Sequence, residues 1–390
     1  MSDVGVVAHL QRSQSQLPVH SYIDPALLEA ERRLLFSQAQ YVGHAAMVPR
    51  LCDYATVPWE DHARVLVRNT GGIELLSNVC RHRQAIMLEG RGNTHNIVCP
   101  LHRWTYDLKG SLLGAPSFGE NPCLDLESNR LSAWQSLQFA GPEASRNKLI
   151  EALQSMACAN ELSFDGYVLD RVHTHECAYN WKTFIEVYLE DYHVEPSHPG
   201  LGRFVTCDDL KWEFNDLFSV QTVGVNNALA KPGSEVYKNW HRAVLDYRSG
   251  EPPAHGAIWL TIYPNIMVEW YPHVLVVSTL HPTAPNRTTN VVEFYYPEDI
   301  AHFERGFIEA QQAAYFETCA EDDEIAARMD RGRRALFAQG KNQIGPYQSP
   351  MEDGMQHFHE YLRRLLAGRI DALPELQPEL QPTSSPYLAL

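Results

Sequence analysis

Apolar and polar positions change period several times along the chain, and each change marks an element. Residues 1–20 are polar and are expected to be loose. Asp24-Pro25 then supplies a capping side chain and a first-turn proline. Leu27, Leu28, Leu34 and Leu35 follow at helical spacing, with Glu29, Glu31, Arg32 and Arg33 as the water-facing side. From Gln40 to about Phe139 the period falls to two. Arg64-Val-Leu-Val-Arg68 alternates, Asn69-Thr-Gly-Gly72 turns the chain, and Ile73-Glu-Leu-Leu-Ser77 returns, which reads as a hairpin in an antiparallel β domain.

Residues 140–160 read as a helical connector. A further helix is expected from Trp181 to about Tyr192, ended by Pro196 and Pro199. Residues 203–294 are β-rich, as at 257–263 and 274–279, and residues 298–335 and 351–367 return to helical spacing. Helix, long sheet and C-terminal helices in that order predict a second, α+β domain. The tail after Leu373 repeats Pro-Glu-Leu-Gln and ends among prolines and serines, so it is expected to be extended or disordered.

Composition narrows the function classes. With 390 residues the chain has room for two or three domains, and 44% hydrophobic against 21% charged residues excludes wholesale disorder. Lys and Arg number 32 and Asp and Glu 48, a net charge of −16. That field disfavours nucleic acid and anionic lipid surfaces as partners. No apolar run approaches the roughly 18 residues of a membrane span, and residues 1–16 lack the apolar core of a signal peptide. A cytoplasmic protein is expected. Six of the eight cysteines are scattered and read as small apolar residues. Cys80 and Cys99 differ because of their neighbours.

Cys80-Arg-His82 and Cys99-Pro-Leu-His102 place one thiol and one imidazole on each of two loops. Thiolate and imidazole suit zinc or an iron–sulfur cluster. A zinc knuckle carries both thiolates on one turn; here each loop can grip both irons of a two-iron cluster. Cys80 and Cys99 would hold one iron and His82 and His102 the other, and the neutral imidazoles would raise the reduction potential. A structural zinc site is the alternative.

A second group is Asn180-Trp-Lys182, Glu190-Asp-Tyr-His193 and His198. A break in the helix between the two histidines lets both imidazoles converge on one ion. Two histidines and a carboxylate on one face leave positions open for dioxygen and substrate, the non-haem Fe(II) pattern. His173-Thr-His175-Glu-Cys177 reads as an ordinary strand, and His357 and His359 as packing or surface. Trp212, Trp259 and Trp270 could line a pocket or cage a quaternary ammonium, but read more simply as core.

The stretch from Cys80 to Gly110, with Trp104, Tyr106 and Asp107 after the second pair, resembles the cluster segment of Rieske non-haem iron oxygenases. Arg103 departs from it, standing where many members have Gly. The segment through His193, His198 and Pro199-Gly200-Leu201 is similar to the same family's catalytic iron site. The family's third iron ligand is an acid near the C-terminus. In Glu321-Asp322-Asp323-Glu324 the resemblance assigns it to Asp322, with Asp323 as the rival. It also implies that Glu190, with Asp191 beside it, joins the iron site to cluster ligand His102 of a neighbouring subunit.

The resemblance implies an N-terminal helical segment (1–39) packed on the catalytic domain, a Rieske [2Fe–2S] domain (40–150), a helix-grip-like mononuclear iron domain (151–372) and a tail (373–390). The fold class is α+β with antiparallel sheets. The expected function is the terminal oxygenase of a multicomponent system. An external NAD(P)H-dependent flavin or iron–sulfur reductase, with or without a ferredoxin, would supply its electrons. The Asn180-Trp-Lys182, Glu190 and His193 segment resembles homotrimeric members, including choline- and carnitine-type monooxygenases, and aromatic hydroxylases carry similar sequences. A homotrimer and monooxygenation (hydroxylation or oxidative demethylation) of an aromatic or quaternary amine substrate are therefore expected. Ring cis-dihydroxylation and a non-catalytic electron carrier are the alternatives.

Overall fold

The computed structural model describes residues 15–160, 162–366 and 368–371; the tail after Leu373 and most of the polar start lie outside them. The end of that start is not loose. Leu17 and the turn Val19–Tyr22 are buried, with Leu17 and Tyr22 in an apolar cluster with Phe358 and Leu362, and Val19 N donates to Asn342 Oδ1 at 2.8 Å. The helix Pro25–Leu34 is capped by Asp24 Oδ1, which accepts from Ala26 N at 2.8 Å. Its Glu31 does not face water. It is fully buried and accepts from Lys182 Nζ at 2.6 Å and Trp181 Nε1 at 2.8 Å. A charge that finds a buried partner overrides the amphipathic pattern.

The N-terminal β domain contains the expected hairpin, strands Arg64–Asn69 and Gly72–Ser77, in register from Arg64↔Ser77 to Asn69↔Gly72. A small sheet of Ile97–Val98, Thr105–Tyr106 and Leu112–Gly114 holds the loop of Cys99 and His102. The helix Glu143–Gln154 leads out of the domain.

The second domain is a seven-stranded antiparallel sheet in the order Tyr167–Cys177, Arg287–Pro297, Val274–Ala284, Ile266–Tyr271, Ala257–Ile262, Phe218–Val225 and Val205–Asn215. Pairing runs across it as Gln221↔Trp259↔Glu269↔Val276↔Phe294 and, one residue along, Val220↔Leu260↔Val268↔Val277↔Glu293. Alternation sends these rows to opposite faces. Trp259, Val276 and Phe294 pack with Phe307, Ile308 and Ala314 of the long helix Arg305–Ala338. Val220, Leu260, Val268 and Val277 pack with Val42, Leu66, Leu137 and Phe139 of the β domain. The sheet is therefore a wall shared by two cores. Among the described residues no helix is long and apolar enough to cross a membrane.

The helix that begins at Trp181 stops at Tyr188, not near Tyr192. Leu189 leaves helical geometry at φ −99°, ψ 18°, and Asp191 N donates to Met351 O at 3.1 Å. Pro196 does not break that helix. It lies in a separate short turn, Val194–Ser197, near whose start a proline is tolerated.

Candidate active site

The helix Trp181–Tyr188 is fixed before it delivers any ligand. Asn180 caps it, its Oδ1 accepting from Lys182 N at 2.9 Å, while Asn180 N and Thr183 Oγ1 donate to Asp330 of the long helix at 2.9 and 2.6 Å. Buried Glu186 accepts from Arg333 at 2.6 Å, His359 at 2.9 Å and the Tyr22 hydroxyl. Burial alone would raise its carboxyl, but the Arg333 charge and the His359 bond outweigh it and hold the group at about 2. His359 is thus part of the frame, and His357 is buried too, its Nδ1 2.8 Å from the Tyr263 hydroxyl.

The turn after this helix brings three ligand atoms together. His193 Nε2 and His198 Nε2 are 3.0 Å apart, and Asp322 Oδ1 lies 3.3 Å from the first and 2.9 Å from the second. Ligands at roughly 2.1 Å from one metal and at right angles would sit about 3.0 Å apart. The trio therefore fits a single first-row ion on three adjacent positions. Burial opposes charge on His193, but bonds to Asp322 and Glu190 raise it to about 10; burial likewise opposes the Asp322 charge, and the two imidazoles hold that carboxyl below its usual range.

The far ring nitrogens are also held by carboxylates. Glu190 Oε1 lies 2.5 Å from His193 Nδ1, close in distance but bent in angle, while its Oε2 accepts from His193 N at 3.1 Å. Glu321 Oε2 lies 2.7 Å from His198 Nδ1. Such partners fix ring orientation and ligand basicity. The role of Glu321 is absent from the sequence reading; only its place beside Asp322 could have suggested it. Asp323 turns away, its Oδ2 2.8 Å from His175 Nε2 and its Oδ1 accepting from the Tyr179 hydroxyl at 2.6 Å. His175 is in a strand, as expected, yet it also reaches this site. With Cys177 and Asp323 it forms a second tight group, in which the Asp323 bond raises His175 to about 10.

A cavity of about 100 Å³ lies over the trio. Its walls include Asp322 and Tyr315 from the long helix and Trp259, Glu269 and Tyr271 from the sheet. Of the three tryptophans singled out in the sequence only Trp259 lines it. Trp270 faces the β domain and Trp212 packs near Pro350, its Nε1 donating to Pro350 O at 3.1 Å. Asp191 and Glu269 are buried in the cavity wall, and burial pushes each carboxyl up to about 7.

In the β domain Cys80 and Cys99 are buried, and Arg81 N donates at 3.2 Å to the Tyr106 hydroxyl, which lies 3.7 Å from Cys80 Sγ. His82 stacks on Trp104 at 5.0 Å and 6°, and its ring centroid is 4.7 Å from that of His102. Two thiols thus point inward and two imidazoles sit on the outer side, with His102 exposed. This donor set suits a cluster whose outer iron has neutral ligands. Arg103 has φ +61°, a left-handed conformation that glycine adopts freely and a side chain adopts at a cost of about 1 kcal/mol.

Comparison with known proteins decides the family. The Rieske [2Fe-2S] domain matches residues 38–128, and the catalytic domain of the ring-hydroxylating alpha subunit matches residues 164–368. The chain belongs to the Rieske oxygenase alpha subunits. The cofactors of this Rieske oxygenase are accordingly a [2Fe–2S] cluster and a mononuclear iron. It is 61% identical to putrescine 2-hydroxylase of Ralstonia nicotianae, over 94% of this chain and 100% of that one. It is 56% identical to putrescine 2-hydroxylase of Bordetella bronchiseptica, over 94% and 88%. A solved quaternary ammonium Rieske monooxygenase, whose structure concerns carnitine oxidation and inter-subunit electron transfer, shares the fold with a TM-score of 0.69 at 19% identity over 91% and 95% of the chains. The α+β reading with antiparallel sheets agrees with that fold.

Proposed function

We propose that this Rieske oxygenase hydroxylates a short aliphatic diamine, with putrescine, hydroxylated at carbon 2, as the first candidate. The observation that carries this is the charge of the cavity. Carboxylates from Glu190, Asp191, Glu269, Asp322 and Asp323 contribute to its walls, and among the described lining residues there is no Lys or Arg. A cation fits that field and an aromatic acid does not. The relatives named putrescine 2-hydroxylase support the diamine.

Cys80, Cys99, His82 and His102 would hold the cluster, and His193, His198 and Asp322 the mononuclear iron. When bound, these centres relay electrons from the external reductase and activate dioxygen. One oxygen atom enters a C–H bond, and the other leaves as water with two electrons and two protons. Glu321 would hold His198 in register, and Asp322 would stay ionised under its two imidazoles. Exposed His102 would meet Glu190 of a neighbouring subunit in a head-to-tail trimer, a ring geometry in which each site uses the next chain's cluster.

The experiment is a single turnover of the fully reduced enzyme with putrescine and ¹⁸O-labelled dioxygen. One labelled atom in 2-hydroxyputrescine is expected. Absence of that product, with a diol formed from an aromatic substrate instead, overturns the proposal. Cys80→Ala or His102→Ala should abolish the cluster's paramagnetic resonance signal while mononuclear iron is retained.

A further inference from the structure

Glu269 is a buried carboxylate with no cationic side chain to meet it among the described residues. It sits on the strand Ile266–Tyr271, paired with Trp259 on one side and Val276 on the other, and is 4% exposed. Its Oε2 accepts from the Tyr271 hydroxyl at 2.9 Å, and its Oε1 receives only a long contact of 3.4 Å from the Tyr315 hydroxyl. Trp259 Nε1 in turn donates to the Tyr271 oxygen at 3.1 Å. Among the described residues no Lys, Arg or His lies within ion-pair distance of it. A carboxylate so placed is costly unless a cation completes it, and its neighbours are neutral hydroxyls and aromatic rings that open onto the cavity.

We propose that Glu269 is the ammonium anchor of the substrate cavity and the residue that selects a primary over a quaternary ammonium. The proposal rests on the amine reading above and adds the recognising group. A primary ammonium brings N–H donors for charge-assisted bonds to the free lone pairs of Glu269, while the rings of Trp259 and Tyr271 flank it as cation–π partners. A trimethylammonium group gains from the rings but has no N–H, and its methyl groups hold the charge away from the carboxylate. The anchor and the metal trio line the same cavity. Tyr315, which touches Glu269, precedes Asp322 by seven residues on the same helix, about 10 Å along its axis. A chain of a few methylenes tethered at Glu269 can extend toward the trio and present an internal carbon there.

Glu269→Gln is the test, since it keeps the shape and both tyrosine donors while removing the charge. The KM for putrescine should rise about 100-fold, the scale for removing one member of a buried charged pair, with kcat changed far less. Iron content and the cluster's visible spectrum should stay as in the parent. The preference for putrescine over its N,N,N-trimethyl derivative should collapse, and Glu269→Asp should restore part of it. An unchanged KM and preference in Glu269→Gln, or a Glu269→Asp enzyme no better than Glu269→Gln, overturns the assignment. If the parent enzyme itself neither binds nor hydroxylates putrescine, the amine reading fails instead.

Discussion

Asp322 and Asp323 are neighbours on one helix and serve different partners. Asp322 Oδ1 lies 2.9 Å from His198 Nε2, whereas Asp323 Oδ2 lies 2.8 Å from His175 Nε2. Successive helical residues point about 100° apart, so the two carboxylates cannot share one ion with equal ease. Asp322→Ala should therefore lose mononuclear iron and all product while the cluster spectrum is unchanged. Asp323→Ala should keep its iron, since it breaks only the pairing with His175 and Tyr179. Iron analysis of the two purified variants decides between them, and the opposite pattern would make Asp323 the ligand.

The two outer carboxylates should differ in what they control. Glu321 stands against His198 Nδ1, so Glu321→Gln should weaken iron binding by about 10- to 100-fold, read by chelator titration. In the proposed trimer, where Glu190 also serves the neighbour's cluster, Glu190→Gln should keep both metals and the assembly yet slow product formation severely. Near-normal turnover in Glu190→Gln with an inactive Asp191→Asn would transfer the role to the buried carboxylate beside it.

Glu31 and Lys182 form an ion pair with both side chains essentially inaccessible to water. Glu31→Gln strands the ammonium and should cost about 3–5 kcal/mol, whereas joint Glu31→Leu and Lys182→Met replacement should recover much of that. Thermal melting of the holoenzyme and its variants measures both. Equal losses in the single and double variants would mean that the pair itself, not the stranded charge, is what stabilises the junction.

Glu293 supplies a pH dependence. It faces the β domain, accepts from Tyr41 at 2.6 Å and Tyr295 at 2.7 Å through Oε2, and leaves Oε1 without a partner among the described residues. Burial pushes its carboxyl from 4.5 up to about 7. The folded state thus keeps a proton that the unfolded chain releases. Its contribution is complete below pH 4.5 and is lost as the pH rises through 7, at up to about 1.4 kcal/mol per pH unit. Glu293→Gln should flatten this part of the stability profile between about pH 4.5 and 7. An unaltered slope would show that Glu293 is already ionised in the folded protein.

Much of this architecture is legible in the chain because local pattern and tertiary role coincide. Arg64–Asn69 alternates and is a strand; Cys80, His82, Cys99 and His102 stand in paired spacings, and the fold gathers them. Where the role depends on distant residues the pattern misleads. Glu31 has the helical position of a wet residue, and only Lys182, 151 positions later, makes it an inside one. The helix after Asn180 has no stop residue at Leu189; Met351 O, from the other end of the chain, helps hold the turn. Glu269 is a lone acid in an apolar strand, and only the register across four neighbouring strands aims it at the cavity. Trp259 and Trp270 look alike in sequence, yet that register sends them to opposite faces.

The sheet that carries Glu269 on one face and Glu293 on the other limits how such an enzyme can be taken apart or recombined. Val42, Leu66, Leu137 and Phe139 are completed by Val220, Leu260, Val268 and Val277; neither half owns that interior. A β domain transplanted from a distant cousin would have to reproduce the seam residue by residue, and one expressed alone would expose a greasy flank to solvent. The domain that carries the cluster loops thereby shares its core with the oxygen-activating half. In the proposed trimer, gating of electron flow would then lie in how the chains meet each other.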